Sequence, residues 1–380
     1  MPLPDEDKKK LQVFLEKIEC EAQHFVGYPC NDLFDYTELN SLFRHSINNV
    51  GDPFVESSYS MNSHPFEAEV IRFFAGIFHA SDGDVWGYVT HGGTEGNMYG
   101  LYLARELHPL GVVYYSEDTH YSVQKILRLV GLRSIMIRSQ PSGEIDYEDL
   151  SASLRLHRDV PAIIVANIGT TMKGALDDAA KIVEALDVNR IRARYIHCDA
   201  ALSGMILPFV EGAPAFDFRL PIDSISVSGH KMIGSPMPCG IVLAKRTTVD
   251  RIARSVEYVG TLDTTLSGSR NGITPVFLWY AIRSLQHEGF RRLVADCLEK
   301  ADYTQARLNA AGLNAWRNPH SITVIFDRPP KEVLDQWSIA VHGPIAHVIT
   351  MPHVTKRQID ALAEHITRAR PDANGCGETR

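Results

Sequence analysis

Ser226-Val227-Ser228-Gly229-His230-Lys231-Met232-Ile233-Gly234 sets one lysine between an apolar run and a turn of small residues. The stretch leading into it, 222–227, is rich in β-branched side chains and reads as a buried strand. Such a strand delivers a single amine onto a tight loop. Burial disfavours an ammonium, so a lysine held there has a lowered pKa. A neutral amine attacks aldehydes, which is the chemistry of a Schiff base. The same lysine could instead lie at the surface after the strand, where most lysines lie.

Working outward, apolar β-branched runs alternate with amphipathic stretches. Strands are expected at 86–90, 112–116, 134–137, 162–167, 195–198, 224–228 and 240–245. Helices are expected at 95–108, 121–130, 147–157 and 177–186. Strands alternating with helices imply crossover connections and an α/β fold with a mainly parallel sheet. Ligand loops then gather at the carboxyl ends of the strands. Beyond residue 256 the pattern changes to helices at 274–288 and 291–311, a strand at 321–326, a helix at 332–338, a strand at 347–350 and a closing helix at 355–369. The division expected is an N-terminal helical segment (1–50) packing on the large domain or a partner, a large domain (51–255), a small α/β domain (256–369) and a polar, disordered tail (370–380).

Three further stretches sit at expected strand ends. Thr90-His91-Gly92-Gly93-Thr94-Glu95-Gly96-Asn97 opens a helix, and glycines there let a backbone approach a phosphate at the helix start. It lacks the lysine of a P-loop and the glycine spacing of dinucleotide binders, and it could equally be a tight turn with a capping threonine. Asp199, in Ile196-His197-Cys198-Asp199-Ala200-Ala201, would need a cationic partner, such as a protonated pyridine nitrogen, with Ala201 small enough to lie under a flat ring. It could also be a helix cap. His120, in Ser116-Glu117-Asp118-Thr119-His120-Tyr121-Ser122, could stack on a planar cofactor and act on a proton beside it. Together these are the four functions that pyridoxal phosphate requires: phosphate cradle, stacking ring, nitrogen partner and amine.

The bulk numbers narrow the classes. The chain has 380 residues, 44% apolar and 22% charged, with a net charge of −8, which argues against nucleic-acid or anionic-membrane partners. No apolar run approaches membrane-spanning length, and the charged N-terminus lacks a signal-peptide core. Cys20, Cys30, Cys198, Cys239, Cys297 and Cys376 have no C-x-x-C or zinc-ligand spacing, so free thiols in a reducing cytoplasm are expected. Despite 16 histidines, no metal-binding motif is found and no metal is expected.

The motifs around Asp199 and Lys231, with Ser46-Ile47-Asn48-Asn49, Trp86-Gly87-Tyr88-Val89-Thr90, Ala166-Asn167-Ile168-Gly169-Thr170-Thr171, Ser267-Gly268-Ser269-Arg270-Asn271-Gly272 and Asn314-Ala315-Trp316-Arg317-Asn318, resemble those of fold-type I pyridoxal-phosphate enzymes. Within these the chain is similar to the group II amino-acid decarboxylases, the bacterial histidine decarboxylases among them, over residues 27–369. The resemblance implies decarboxylation of an L-amino acid, with L-histidine, yielding histamine and carbon dioxide, favoured by overall similarity. Lys231 would carry the cofactor as an imine, Asp199 would bond its ring nitrogen, and His120 would stack on the ring and meet the substrate. Gly93, Thr94, Ser228 and His230 would hold the phosphate, and Thr170 would lie near the phenolic edge. Asn62, Ser63 and Ser267 would face the substrate, and Tyr258, His120 or Lys231 would return a proton to Cα. A homodimer with active sites at its interface is implied, with Ser267 reaching the neighbouring site.

Departures from the family pattern lie at Met61, His64 and Pro65, in what resembles the substrate-side loop, and at Cys198, which is small and fills space. A changed pocket alters the substrate before it alters the chemistry, so serine, aromatic or acidic amino acids stay open as substrates. An aminotransferase or β-eliminating lyase would need an arginine on the α-carboxylate, for which Arg270 and Arg317 are the candidates. A non-catalytic scaffold is the remaining alternative, against which Lys231 and Asp199 both speak.

Overall fold

Strands β1 (Val85–Thr90), β2 (Val112–Ser116), β3 (Arg133–Ile137), β4 (Ala162–Asn167), β5 (Arg194–Asp199), β6 (Ser224–Ser228) and β7 (Gly240–Lys245) form one sheet in the computed structural model of the protein. Their order is β1-β7-β6-β5-β4-β2-β3. Only β7 runs antiparallel to its neighbours; the other pairs are parallel. The structure describes residues 2–256 and 261–369. All seven strands stand where the apolar runs placed them, within a residue at either end. Strands β1, β2, β4 and β6 bury every residue, so both faces are covered and their sequences read as unbroken apolar runs rather than alternations. Strand β3 is one of the two edge strands, and Arg133 and Met136 are exposed there.

The helices follow from local signals. Helix α1 (His64–Ile77) starts with Pro65 in its first turn and buries Ala68, Val70, Ile71 and Phe74. The start of this helix lies in the stretch 59–67 that resembles a substrate-side loop, and the helical spacing of the apolar residues after it is the signal overlooked. Helix α2 (Gly93–Leu107) follows β1, and α3 (Ser122–Val130) ends at Gly131 in a left-handed conformation, φ 70°. The side chains of Asp146 and Asp178 cap α4 (Tyr147–Leu156) and α5 (Ala179–Val188), each accepting two backbone N–H groups. Trp86, Tyr88, Tyr99, Leu101 and Leu103 anchor a buried cluster around α2.

Residues Cys30–Ala295 with Asn318–Ser321 make one compact unit; Met1–Pro29, Asp296–Arg317 and Ile322–Arg380 make the other. The border drawn near residue 256 from the sequence thus falls after 295, and residues 30–50 go with the sheet. Pairing explains this. Asn48–Val50 forms an antiparallel ladder with Ser269–Asn271, and Tyr36 packs edge-on against Phe277. Two helices are expected at 274–288 and 291–311, and Thr274–Ala310 indeed holds two, separated at a non-helical Gln286, φ 53°.

The other unit has a three-stranded antiparallel sheet of β8 (Thr323–Asp327), β9 (Ala340–His342) and β10 (Ile345–Ile349), in the order β8-β10-β9. Helix Lys356–Ala369 buries Ile359, Leu362 and Ile366. Helix Asp5–Ala22 buries nothing. No helix among the described residues is long and apolar enough to cross a membrane.

A buried ion pair ties the Asn48–Val50 ladder to β1. Arg270, 1% exposed, meets Glu67, 0% exposed. Glu67 also accepts from Asn49 Nδ2 at 2.6 Å and Val89 N at 2.8 Å, and Arg270 donates to the Gly51 carbonyl at 2.9 Å. Removing one partner leaves the other charge buried alone, so Arg270→Met should cost about 3–5 kcal/mol of stability. Urea unfolding measures this, and a loss under about 1 kcal/mol would contradict it.

Candidate active site

The carboxyl ends of β2, β4, β5 and β6 put Ser116, Asn167, Asp199 and Ser228 along one edge of the sheet. Asp199 pairs in register with Asn167 on one side and Ser226 on the other. Lys231 lies three residues past β6, and His120 four past β2, so both follow strands that end at this edge.

Burial pushes the Lys231 amine below its ordinary pKa, and the attraction of Asp199 and Cys30 offsets this only in part. The direction of the shift is the one expected for a nucleophilic lysine. The loop holding it is braced from residues 31–36. Asn31 Nδ2 donates to the Met232 carbonyl at 3.0 Å, and Tyr36 OH donates to that of Gly234 at 3.2 Å. Gly234 has φ 85°, and a side chain there would also press on Asn31, so glycine is required twice over.

His120 is half-buried, and its pKa is lowered, first by burial. Asp199 pulls it up, and Lys231 and Lys125 push it down, so histidine, carboxylate and amine form one electrostatic cluster. Its Nδ1 is bonded to Ser122 Oγ at 2.7 Å, which leaves Nε2 for a ligand. Asp199, 8% exposed, accepts from Asn97 Nδ2 at 2.7 Å and from Ala201 N at 3.2 Å.

Beside this cluster the start of α2 makes a cradle. A Cβ on Gly93 would stand 2.6 Å from Ser228 Oγ and 4.0 Å from the Ala201 methyl, so these three residues touch only because residue 93 has no side chain. Gly93 and Thr94 carry the N–H groups that a helix start leaves without helical partners, and the Thr94 side chain is exposed. His230 Nδ1 is bonded to the Cys239 carbonyl at 2.8 Å, which fixes its ring.

The other residues named from the sequence have hydrogen-bond partners of their own. Thr170 is buried in a turn where its hydroxyl oxygen accepts from Ala175 N at 3.0 Å. Asn62 and Ser63 build the start of α1: Asn62 Oδ1 accepts from His64 N at 3.0 Å, and Ser63 Oγ donates to Asn49 Oδ1 at 3.1 Å. Ser267 Oγ is 3.4 Å from Glu95 Oε1, beside the cradle helix of its own chain. Tyr258 lies outside the described residues. Cys198 is fully buried with its thiol on the Phe216 carbonyl, as a space-filling residue would be.

Three features were missed in the sequence. Cys30 stands close enough to Lys231 for each to shift the other. His64 is 5% exposed, and neither ring nitrogen has a hydrogen-bond partner among the described residues. Asn97 and His197 were quoted within motifs but given no task.

Residues 65–315 match the pyridoxal-dependent decarboxylase conserved domain. The chain belongs to the pyridoxal-dependent decarboxylase family. Histidine decarboxylase of Mesorhizobium japonicum is 48% identical over 365 residues, covering 96% of this chain and 99% of that enzyme. Histidine decarboxylase of Vibrio anguillarum is 50% identical over 370 residues, 96% of each. Among solved structures, L-methionine decarboxylase from Streptomyces sp. 590 matches with a TM-score of 0.88 and 27% identity over 96% of each chain. The fold is that of the fold-type I enzymes, as expected, and the protein is a carboxy-lyase that uses pyridoxal 5′-phosphate. Its residues fit that cofactor. A glycine cradle faces a serine hydroxyl, a buried carboxylate is held by an amide, and a desolvated amine feels the charges of both a carboxylate and an imidazole.

Proposed function

We propose that the protein decarboxylates L-histidine to histamine, in the cytoplasm and as a homodimer. The observation that carries the choice of site is the shared electrostatic cluster of Lys231, Asp199 and His120 at the carboxyl edge of the sheet. The choice of histidine rests on the names of relatives that align over nearly their whole length.

When bound, pyridoxal phosphate supplies an electron-poor ring that takes up the electron pair of the breaking Cα–carboxylate bond. Lys231 Nζ, neutral at a lower pH than an ordinary lysine, is the amine that would hold the cofactor and give way to the substrate amine. Asp199 keeps a proton on the ring nitrogen, because a carboxylate favours a cation beside it. Gly93, Thr94, Ser228 and His230 would hold the phosphate, Ala201 would lie under the ring, and Thr170 would lie near its phenolic edge. His120, with Nδ1 on Ser122 Oγ, would stack on the ring and offer Nε2 to the substrate. Return of a proton to Cα falls to Lys231, His120 or Tyr258, and side-chain recognition to Asn62, Ser63 and Ser267.

Both candidate arginines for a transaminase already have carboxylate partners, which speaks against that reading. Arg270 is spent on Glu67, and Arg317 pairs with Asp302 at 2.5 Å. The dimer reading is supported by helix Asp5–Ala22, where Leu11, Phe14, Leu15 and Ile18 form one exposed apolar stripe. The cytoplasmic reading is supported by the free thiols of Cys20, Cys30, Cys198, Cys239 and Cys297.

Carbon dioxide release from histidine, methionine, serine, an aromatic and an acidic amino acid tests the substrate. Histidine should lead in kcat/KM by about 100-fold or more, since a pocket built for a polar ring leaves its own groups unpaired with any other side chain. A clear preference for any of the others would overturn histidine, and a keto-acid product would overturn decarboxylation.

A further inference from the structure

Behind Asp199 runs a buried chain of polar groups with a single donor direction. Asp199 Oδ2 accepts from Asn97 Nδ2 at 2.7 Å. A carboxylate cannot donate, so this contact fixes the amide of Asn97 and turns its Oδ1 toward His197 Nε2, 3.0 Å away. That oxygen can only accept, so His197 carries its proton on Nε2. Its Nδ1 then accepts from Ser224 Oγ at 2.7 Å, and Ser224 Oγ accepts from Tyr195 OH at 2.9 Å. Tyr195, His197 and Ser224 are 0% exposed and Asn97 is 3% exposed. Burial pushes the His197 pKa down to about 4, so the ring is neutral near pH 7, as the chain requires.

The packing that permits this is specific. Side chains at Gly96 and Gly100 would collide with Ser226 Oγ and His197 Nδ1 respectively. These glycines, one turn apart on α2, bring the helix backbone onto β5 and β6, and Asn97 sits between them.

We propose that Asn97 and His197 are positioning residues that hold Asp199 as an oriented carboxylate for the cofactor's ring nitrogen, through a one-way line of donors beginning at Tyr195. Each N–H or O–H dipole in the line points toward Asp199, so each favours its negative charge. A set of core polar groups that merely satisfied one another would need no such direction. The inference rests on Asp199 being the ring nitrogen's partner.

Two measurements test it. Nitrogen-15 histidine NMR of the unmutated, cofactor-free protein should show His197 neutral and protonated at Nε2 from pH 6 to 8. A proton on Nδ1, or an imidazolium, would overturn the proposal. Equilibrium dialysis with pyridoxal phosphate, on variants whose folding is checked by circular dichroism, reads the effect on the cofactor. His197→Gln keeps an N–H for Asn97 and should bind within about threefold of the unmutated protein; His197→Leu should bind about 10–100-fold more weakly. Equal binding by the leucine variant overturns the positioning role alone. Unmutated protein that binds no pyridoxal phosphate would sink the cofactor assignment and this inference with it. Should the leucine variant not fold, the tautomer in the unmutated protein still decides.

Discussion

Lys231→Met removes decarboxylase activity and raises the stability of the cofactor-free protein. Methionine matches the length and apolar stem of lysine but offers no amine. Without the amine the cofactor cannot be held covalently or handed to the substrate, so kcat/KM should fall by about 10³-fold or more. The gain in stability has a separate origin. Burial is the largest influence on the Lys231 amine and outweighs the attraction of Asp199, so its folded pKa lies below 10.5. Between the folded value and 10.5 the unfolded chain binds the extra proton, so the stability of the unmutated protein rises with pH across that window. At pH 7 the folded state carries the burden of the desolvated amine, and methionine relieves it. The melting temperature of the cofactor-free variant should therefore exceed that of the unmutated protein at pH 7, with a gap that narrows as pH approaches 10.5. Retained activity would refute the role of Lys231, and a lower melting temperature at pH 7 would refute the account of its environment.

The parts legible in the sequence share one property: each is carried by a contiguous stretch. Strands buried on both faces announce themselves as apolar runs, which is why β1, β2, β4 and β6 were placed so closely. Lys231, Asp199 and His120 each follow such a run, so strand ends sufficed to nominate them. What was not legible depends on distant pairings. Asn97 and Asp199 are 102 residues apart, and Glu67 and Arg270 are 203 apart. No local pattern marks either pair. Nor does Cys30 carry any local sign that the chain folds it toward Lys231. Helix α1 was hidden for another reason: Pro65 and the polar run before it suggest a loop, although proline suits a first helical turn. Nor is it legible that the segment after 261 goes with the sheet unit, because Arg270 and Phe277 find their partners in residues before 70.

Asp199→Asn keeps the shape of the side chain and removes its charge, and this separates the two tasks of the carboxylate. Asn97 Nδ2 needs an acceptor, so the amide oxygen of the substituted residue turns toward it and the new NH₂ takes the place of the other carboxylate oxygen. A donor now faces the ring nitrogen where an acceptor stood, and nothing favours a proton there. Loss of one preorganised electrostatic contact at a reacting centre lowers turnover by about 10²–10³-fold, and that loss in kcat is expected here. The charge also acts on its neighbours. Asp199 raises the pKa of both His120 and Lys231, so both should titrate at lower pH in the variant than in the unmutated protein. The His120 ring then stays neutral further into acid, which nitrogen-15 NMR of the cofactor-free protein follows directly. The fold should survive, because the asparagine still offers an acceptor to Asn97 and gives up only the 3.2 Å contact with Ala201 N. A variant that kept kcat within about threefold would remove Asp199 from the chemistry, on the scale by which a single such contact is judged. A His120 midpoint that rose or stayed fixed would instead show that the carboxylate and the imidazole do not share a site.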